Sequence, residues 1–214
     1  MKARSALKNF ILWVSLAIIV NIVIYITWGN EPALEFLGGY IIELSLSVDN
    51  LFLFLLVFTS FNIPISYQKR VLTYGIFGAI VLRFMFIFLG VAIVNTFHWI
   101  LYIFGFFLFC SGLKILFNKE EAVDFSDSKV LKIMKKIIPV TDDLYGECFF
   151  VRKNGVLHAT PLLLILVLIE SSDIIFAMDS IPAIFSITTN PYIVYSSNIF
   201  AILGLRSLYF LLAK

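Results

Sequence analysis

Six apolar runs, each long enough to cross the hydrocarbon core of a bilayer, constrain the fold of this chain more than any other feature. A transmembrane helix needs about 20 apolar residues in succession. The chain is 61% hydrophobic and 14% charged, whereas soluble domains carry about 25% charged residues, so one aqueous core cannot bury its apolar surface. The sequence therefore predicts an all-α fold, a polytopic membrane helix bundle. The predicted spans lie near residues 9–28, 33–60, 71–96, 98–117, 157–187 and 192–213.

Basic residues indicate how these spans cross the membrane. They are Lys2, Arg4 and Lys8 before the first span, Lys69 and Arg70 after the second, and Lys119, Lys129, Lys132, Lys135, Lys136, Arg152 and Lys153 after the fourth. The other loops, residues 29–32, 95–97 and 188–191, contain no Lys or Arg. Because cytoplasmic loops carry an excess of Lys and Arg, we predict that both termini are cytoplasmic. The first run lacks a small-residue cleavage site, so no cleavable signal peptide is expected.

Residues 118–156 form the one sizeable hydrophilic segment, which we predict to be a cytoplasmic loop within a single transmembrane domain of residues 1–214. Its mixed charges and the lysines of 132–136 favour a short amphipathic segment at the cytoplasmic surface. Asp142 and Asp143 are best explained as a solvated acidic turn, with a metal-binding or metal-sensing pair as the alternative. The formal net charge of +2 is too small to suggest a nucleic-acid partner.

Two clusters of polar and acidic residues lie inside the predicted spans. The first contains Glu43, Asp49 and Asn50, and the second contains Glu170, Asp173 and Asp179. A carboxylate at the centre of a membrane helix costs about 2.5 to 3.5 kcal/mol on insertion scales. Two arginines, Arg83 and Arg206, also lie in apolar runs and can balance part of this charge. Because five acids outnumber two arginines, shared cations, protons or water must compensate the rest.

An internal repeat relates the two halves of the chain. The segment Ile76–Arg83 resembles Ile199–Arg206, and in both halves the preceding span carries two acids spaced six residues apart. The second span runs inward and the fifth runs outward, so the repeat is inverted, with three helices per half and the second repeat apparently incomplete. Inverted repeats are typical of secondary transporters, whose substrate site lies at the membrane midplane.

Helical spacing predicts which of these side chains share a face. Glu43, Ser47 and Asn50 follow an i, i+4, i+7 pattern, whereas Asp49 lies about 120° away on the wheel. In the second half, Pro182 removes a backbone donor, so we expect the helix to kink or unwind beside Asp179. Glycines at 38, 39, 75 and 78 are predicted to permit close helix approach. Lys114, near the inner end of its span, is expected to extend to the interface.

Carboxylate, amide and hydroxyl donors describe an oxygen-rich site, which suits Mg²⁺, Ca²⁺ or Mn²⁺ rather than copper or zinc. Cys110 and Cys148 occur in different environments, so no disulfide is expected. With only His98 and His158 and no CxxC motif, a thiolate or imidazole site has little support. Met178 is a candidate soft ligand for Mn²⁺, but packing is the better explanation of a methionine there.

Two other classes of function remain open at this point. The acids and arginines can form static ion pairs that fix helix packing, in which case the protein is a non-transporting membrane scaffold or assembly factor with a structural polar core. An intramembrane hydrolase has little support, because no nucleophile lies beside a His in a span and no HExxH motif occurs. We therefore do not expect an enzyme.

Four segments carry a resemblance that covers nearly the whole chain. They are Gly39–Glu43 leading into Ser47–Asn50, Phe149–Gly155, Glu170–Ala183 and Ser197–Arg206. On these motifs the chain resembles the TerC family of bacterial integral membrane proteins, and its Alx-like members in particular. Longer members of that family have a further helix before residue 1 and at least two after Lys214, so we expect this sequence to be a short or truncated form.

The resemblance implies a multi-pass exporter of Mn²⁺ in the bacterial cytoplasmic (inner) membrane, related to the LysE-type transporters. It implies that the metal site comprises Glu43, Asp49, Asn50, Glu170, Asp173 and Asp179. Asp49 and Asp179 are the first choices for direct ligands, and the other acids complete the shell or exchange protons. No cofactor is expected to be bound permanently, because Mn²⁺ is the transported ion. The expected partners are the lipid bilayer, the divalent cation and protons as a candidate coupling ion. The family is named for tellurium resistance, but tellurite is an anion that fits an acidic cavity poorly, so we do not expect it to be the substrate.

Overall fold

Helices dominate the computed structural model, which describes residues 3–117 and 128–212. The helices are α1 (Ala3–Trp28), α2 (Asn30–Leu46), α3 (Val48–Ser60), α4 (Ile65–Thr96), α5 (Ile100–Phe117), α6 (Lys129–Ile137), α7 (Pro161–Phe185) and α8 (Pro191–Leu212), and the strands are β1 (Phe150–Lys153) and β2 (Val156–Ala159). The predicted all-α, polytopic architecture is confirmed. Lys2, Lys119 and the first ten residues of the predicted loop lie outside the described residues, as does the side chain of Arg4.

Among the described residues, five helical segments are long and apolar enough to span a membrane. They are Ser5–Trp28, Asn30–Ser60, Ile65–Thr96, Pro161–Phe185 and Pro191–Leu212, which correspond to five of the six predicted spans. The remaining prediction, residues 98–117, coincides with α5, whose apolar stretch Ile100–Lys114 is shorter than a standard span. The inverted relation between the halves stays a prediction.

The second span is interrupted at Ser47, where α2 ends and α3 begins. The Ser47 backbone has φ −84° and ψ −4°, and its N–H donates to the Glu43 carbonyl at 2.9 Å. These angles are close to helical values, so the chain changes direction little and the residues on either side keep a common face. Sequence reasoning placed no break here, because no proline or glycine occupies this position.

The prediction that the helix unwinds beside Asp179 is wrong. Helix α7 continues through Pro182 to Phe185. A proline interrupts one intrahelical hydrogen bond, but neighbouring helices and local adjustments can satisfy the freed carbonyl inside a membrane protein. The helix therefore accommodates Pro182 near its end without unwinding beside the acid.

The chain divides into two compact units, the first of which contains the described residues of 1–51, 80–119 and 175–214. Helices α1, α2 and α8 pack against one another in this unit. A buried apolar cluster joins the second half of α4 to the end of α7 through Ile87, Val91 and Ile181. Gly39 allows close approach as predicted, since a Cβ there would lie 2.8 Å from Ser197 Oγ.

The second unit contains the described residues of 52–79 and 120–174. The described part of the predicted cytoplasmic loop contains α6 and β1, and β1 pairs with β2 in an antiparallel hairpin that extends past residue 156. The hairpin turns at Asn154 and Gly155, both with positive φ (51° and 80°), which is the conformation of a two-residue type I′ turn. Arg70, near the start of α4, forms an ion pair with Glu147 at 3.4 Å and lies over the Phe149 ring, so the hairpin segment is tied to the helix.

Candidate functional site

Arg83 is the centre of a buried polar network in the first unit. This side chain on α4 is 1% exposed, and Glu43 on α2 is fully buried. Arg83 Nη1 lies 2.5 Å from Glu43 Oε1 and 3.5 Å from Ser180 Oγ, and it donates a short hydrogen bond to Asn198 Oδ1. The guanidinium therefore links the second span to α7 and α8. Ser47 at the helix break donates to the same Glu43 oxygen at 2.6 Å.

On the face of the second span that carries Glu43, Ser47 and Asn50, two side-chain oxygens are buried without a hydrogen-bond partner. They are Glu43 Oε2 and Asn50 Oδ1. An unpaired acceptor in a water-poor interior costs free energy comparable to a lost hydrogen bond. Both atoms are hard oxygen donors of the kind that Mn²⁺, Mg²⁺ and Ca²⁺ prefer. Glu43 Oε2 and Asn50 Oδ1 therefore keep lone pairs that a cation can share, while Arg83 balances the charge of the Glu43 carboxylate.

The predicted faces of the second span agree with the structure. Glu43, Ser47 and Asn50 are all buried, whereas Asp49 is exposed on the other side of the helix. The structure therefore does not place Asp49, a first choice for a direct ligand, on the face that carries the Arg83 network. Its role as a ligand stays a prediction.

Asp179, the other first choice, is half-buried and hydrogen-bonded to Ser111 of α5. It lines a cavity of about 330 Å³ together with Ser111, Cys110, Lys114 and Met178. The Lys114 side chain, predicted to extend to the interface, lines the same cavity as this acid. Sequence reasoning missed the proximity of α5 to Asp179, because the spacing of residues within one helix carries no information about its neighbours.

Glu170 and Asp173 belong to the second unit, where they lie one turn apart on α7. Glu170 Oε2 is buried without a partner, and Asp173 is 8% exposed. The Glu170 carboxylate occupies the space beside two glycines of α4, since a Cβ built at Gly78 would lie 2.6 Å from Glu170 Cδ. The close approach predicted at Gly78 is therefore made by a carboxylate.

The six predicted ligands thus belong to two different units of the chain. Among the described residues, neither unit brings three His, Cys, Asp or Glu side chains together as a metal centre. Asn198, fully buried, is a member of the network that sequence reasoning missed. An amide inside an apolar span was the available signal. Arg206, predicted to balance charge, is half-buried on α8.

The comparison with protein families decides what kind of membrane protein this is. The model of the integral membrane protein TerC family matches residues 28–214. The chain belongs to the TerC family. This assignment confirms the resemblance drawn from the four motifs, and it covers every residue of the Arg83 network.

Several relatives of this TerC protein share nearly its whole length. An uncharacterized membrane protein of Myxococcus xanthus is 48% identical over 99% of the chain. The Escherichia coli K12 protein named "Putative membrane-bound redox modulator Alx" is 47% identical over the full chain. The thylakoid membrane protein TERC of Arabidopsis thaliana is 47% identical over 99% of the chain.

These relatives are longer than the chain. The aligned region covers 66% of the Myxococcus protein, 69% of the Escherichia coli protein and 55% of the Arabidopsis protein. No solved structure gives a significant match.

Proposed function

We propose that this TerC protein exports a divalent metal cation, Mn²⁺ in particular, from the cytoplasm through carboxylates inside the membrane. The observation that carries the proposal is the pair of buried, unpartnered oxygens, Glu43 Oε2 and Asn50 Oδ1, on the face of the second span that meets Arg83. Buried polar atoms are nearly always satisfied in native proteins. Unsatisfied acceptors in a membrane helix therefore support a site for a cation.

Arg83 has a defined part in this proposal. It neutralises Glu43 through Oε1 and is held at the same time by Asn198. A cation can therefore bind Glu43 Oε2 without removing Arg83 from all its partners. The arginine balances the charge of the carboxylate when no metal is bound, and its positive charge weakens metal binding enough to permit release.

Glu170 and Asp179 are the further carboxylates proposed to serve the metal along its path, and Asp49, Asp173 and Asn50 complete the proposed set. We also propose that protons move in exchange for the metal, because a carboxylate that releases a metal ion can bind a proton in its place. Export should then respond to an imposed pH gradient, and indifference to that gradient would remove the antiport part of the proposal. Transport rather than catalysis is proposed, with no permanently bound cofactor.

A structural role is the second candidate, and one observation favours it. The Glu43–Arg83 pair is buried, and Arg83 contacts three helices besides its own, so it can fix helix packing without any transport. In that case the protein is a membrane scaffold or assembly factor. Variants of the unpartnered oxygens and outlying acids would then leave its function intact or reduce its abundance.

The test is total cellular manganese, measured by elemental mass spectrometry after a Mn²⁺ load. Cells producing the wild-type chain are compared with cells producing Asn50→Leu or Asp179→Asn at matched membrane levels. Glu147→Gln is the control, because Glu147 is an exposed acid outside the spans. Lower manganese with wild type and the control variant only would support export through these residues.

Equal manganese in all strains, including cells without the protein, would contradict export by this chain. Lower manganese in every producing strain would contradict the role of Asn50 and Asp179 in the metal path. Export would then take place through other groups. Bacterial inner-membrane fractions from the same cells test the proposed location.

A further inference from the structure

Helix α6 is strongly basic and amphipathic. Its nine residues, Lys129–Ile137, contain four lysines and no acid, and the remaining five residues are apolar. Ser128 caps its N-terminus, where Ser128 Oγ accepts from the Leu131 N–H at 3.3 Å. A single cap and nine residues do not stabilise a helix in water, so α6 depends on surfaces that contact it.

Only part of the apolar side of α6 is covered by the protein. Leu131 is 1% exposed and anchors the helix. Ile133 and Ile137, one turn apart, are 57% and 72% exposed. On the helical wheel they form an apolar strip beside Lys129 and Lys136, which are also exposed.

The position of α6 within the second unit shows what environment this strip meets. Lys135 of α6 lines a cavity of about 690 Å³ together with Asn62 and Ile63, in the turn between α3 and α4, and Pro161, the first residue of α7. The span Pro161–Phe185 begins at one of those residues, and the turn that holds the other two joins the end of the span Asn30–Ser60 to the start of the span Ile65–Thr96. Helix α6 therefore lies beside the ends of helices that are long and apolar enough to span a membrane, and such ends meet the headgroup region.

We propose that α6 is an interfacial helix that binds the anionic lipid surface of the protein's own membrane. Ile133 and Ile137 insert between the acyl chains, and Lys129 and Lys136 beside them contact phosphate groups. An amphipathic helix with lysines on its polar face and bulky apolar residues on the other binds in this way. Charge complementarity commits the surface to anionic lipid, because Lys129 and Lys136 lie beside the apolar strip and match a phosphatidylglycerol-rich leaflet better than a neutral one.

The experiment uses the full chain with a fluorophore at position 133. In a Cys110→Ser, Cys148→Ser background, Ile133→Cys is labelled with an environment-sensitive dye and reconstituted in vesicles of phosphatidylcholine alone or mixed with phosphatidylglycerol. Quenching by aqueous acrylamide, an uncharged quencher present on both sides, reports exposure of the dye. We expect several-fold weaker quenching in the anionic vesicles, with the difference reduced by high salt.

Two comparisons make the outcome decisive. Lys129→Gln with Lys136→Gln should abolish the dependence on phosphatidylglycerol, and these exposed substitutions should leave the gel-filtration profile unchanged. A dye at Asn154→Cys, on the exposed hairpin turn, should be quenched equally in both lipids. Equal quenching at position 133 in both vesicles would overturn the proposal, and so would protection that disappears on dilution of the protein in lipid, because that result indicates a protein partner.

Discussion

At the scale of single residues, the ion pair between Arg83 and Glu43 is the contact whose removal should have the largest effect on stability. Both side chains are buried, so removing one leaves an uncompensated charge, which typically costs about 3 to 5 kcal/mol. We expect Arg83→Ala to lower the thermal midpoint of the protein in detergent strongly. The double variant Arg83→Gln with Glu43→Gln should recover much of that loss, because no charge remains buried.

The surface pair Arg70–Glu147 provides the matched control for this prediction. Its side chains are 38% and 48% exposed, and exposed ion pairs contribute about 0 to 1 kcal/mol. Arg70→Ala should therefore change the thermal midpoint little apart from the loss of its stacking on Phe149. A double variant as unstable as Arg83→Ala would show that the charge imbalance is not the cause.

Gly78 is a second residue whose substitution should change stability, because the absence of a side chain there leaves room for Glu170. A Cβ there would lie 2.6 Å from Glu170 Cδ, and forced overpacking costs about 1 to 3 kcal/mol. We expect Gly78→Ala to lower the thermal midpoint and Glu170→Asp to restore part of it, because the shorter side chain withdraws the carboxylate. Gly112→Ala is the control, since nothing lies within 4 Å of its Cβ position. Equal midpoints for the two alanine variants would contradict the predicted contact.

At the scale of secondary-structure elements, the break between α2 and α3 should depend on Ser47. Its hydroxyl donates to Glu43 at 2.6 Å, and hydrogen bonds to charged groups contribute about 1.5 to 3 kcal/mol. Ser47→Ala should lower the thermal midpoint, whereas Ser45→Ala, at an exposed position of the same helix, should not. A neutral Ser47→Ala variant would indicate that Arg83 alone orients the carboxylate.

Sequence periodicity predicted the elements well and their interruptions poorly. The common face of Glu43 and Asn50, and the position of Asp49 on another face, followed from 3.6 residues per turn. The break at Ser47 and the continuity of α7 at Pro182 did not, because tertiary hydrogen bonds and neighbouring helices outweigh the local preference of one residue. The hairpin had a readable signal in Asn154–Gly155, which sequence reasoning overlooked.

The candidate site shows the same limit of sequence reasoning. The acids and Arg83 were recognisable one by one, because charged residues in apolar runs are rare. Their grouping depends on contacts between residues far apart in the chain, such as Arg83 with Asn198. Spacing along one helix cannot reveal which acid meets an arginine and which meets a serine of another helix.

At the scale of the whole molecule, the orientation in the membrane decides whether the proposed transport is export. The basic connections predict that the α4–α5 turn is outside the cytoplasm and the hairpin inside. In a Cys110→Ser, Cys148→Ser background, His98→Cys should therefore react in intact cells with a maleimide that cannot cross the cytoplasmic membrane, and Asn154→Cys should react only after permeabilisation. Both positions are exposed, so access is limited by the membrane rather than by the fold. The opposite labelling pattern would reverse the polarity of every span, and the proposed Mn²⁺ path would then begin outside the cell.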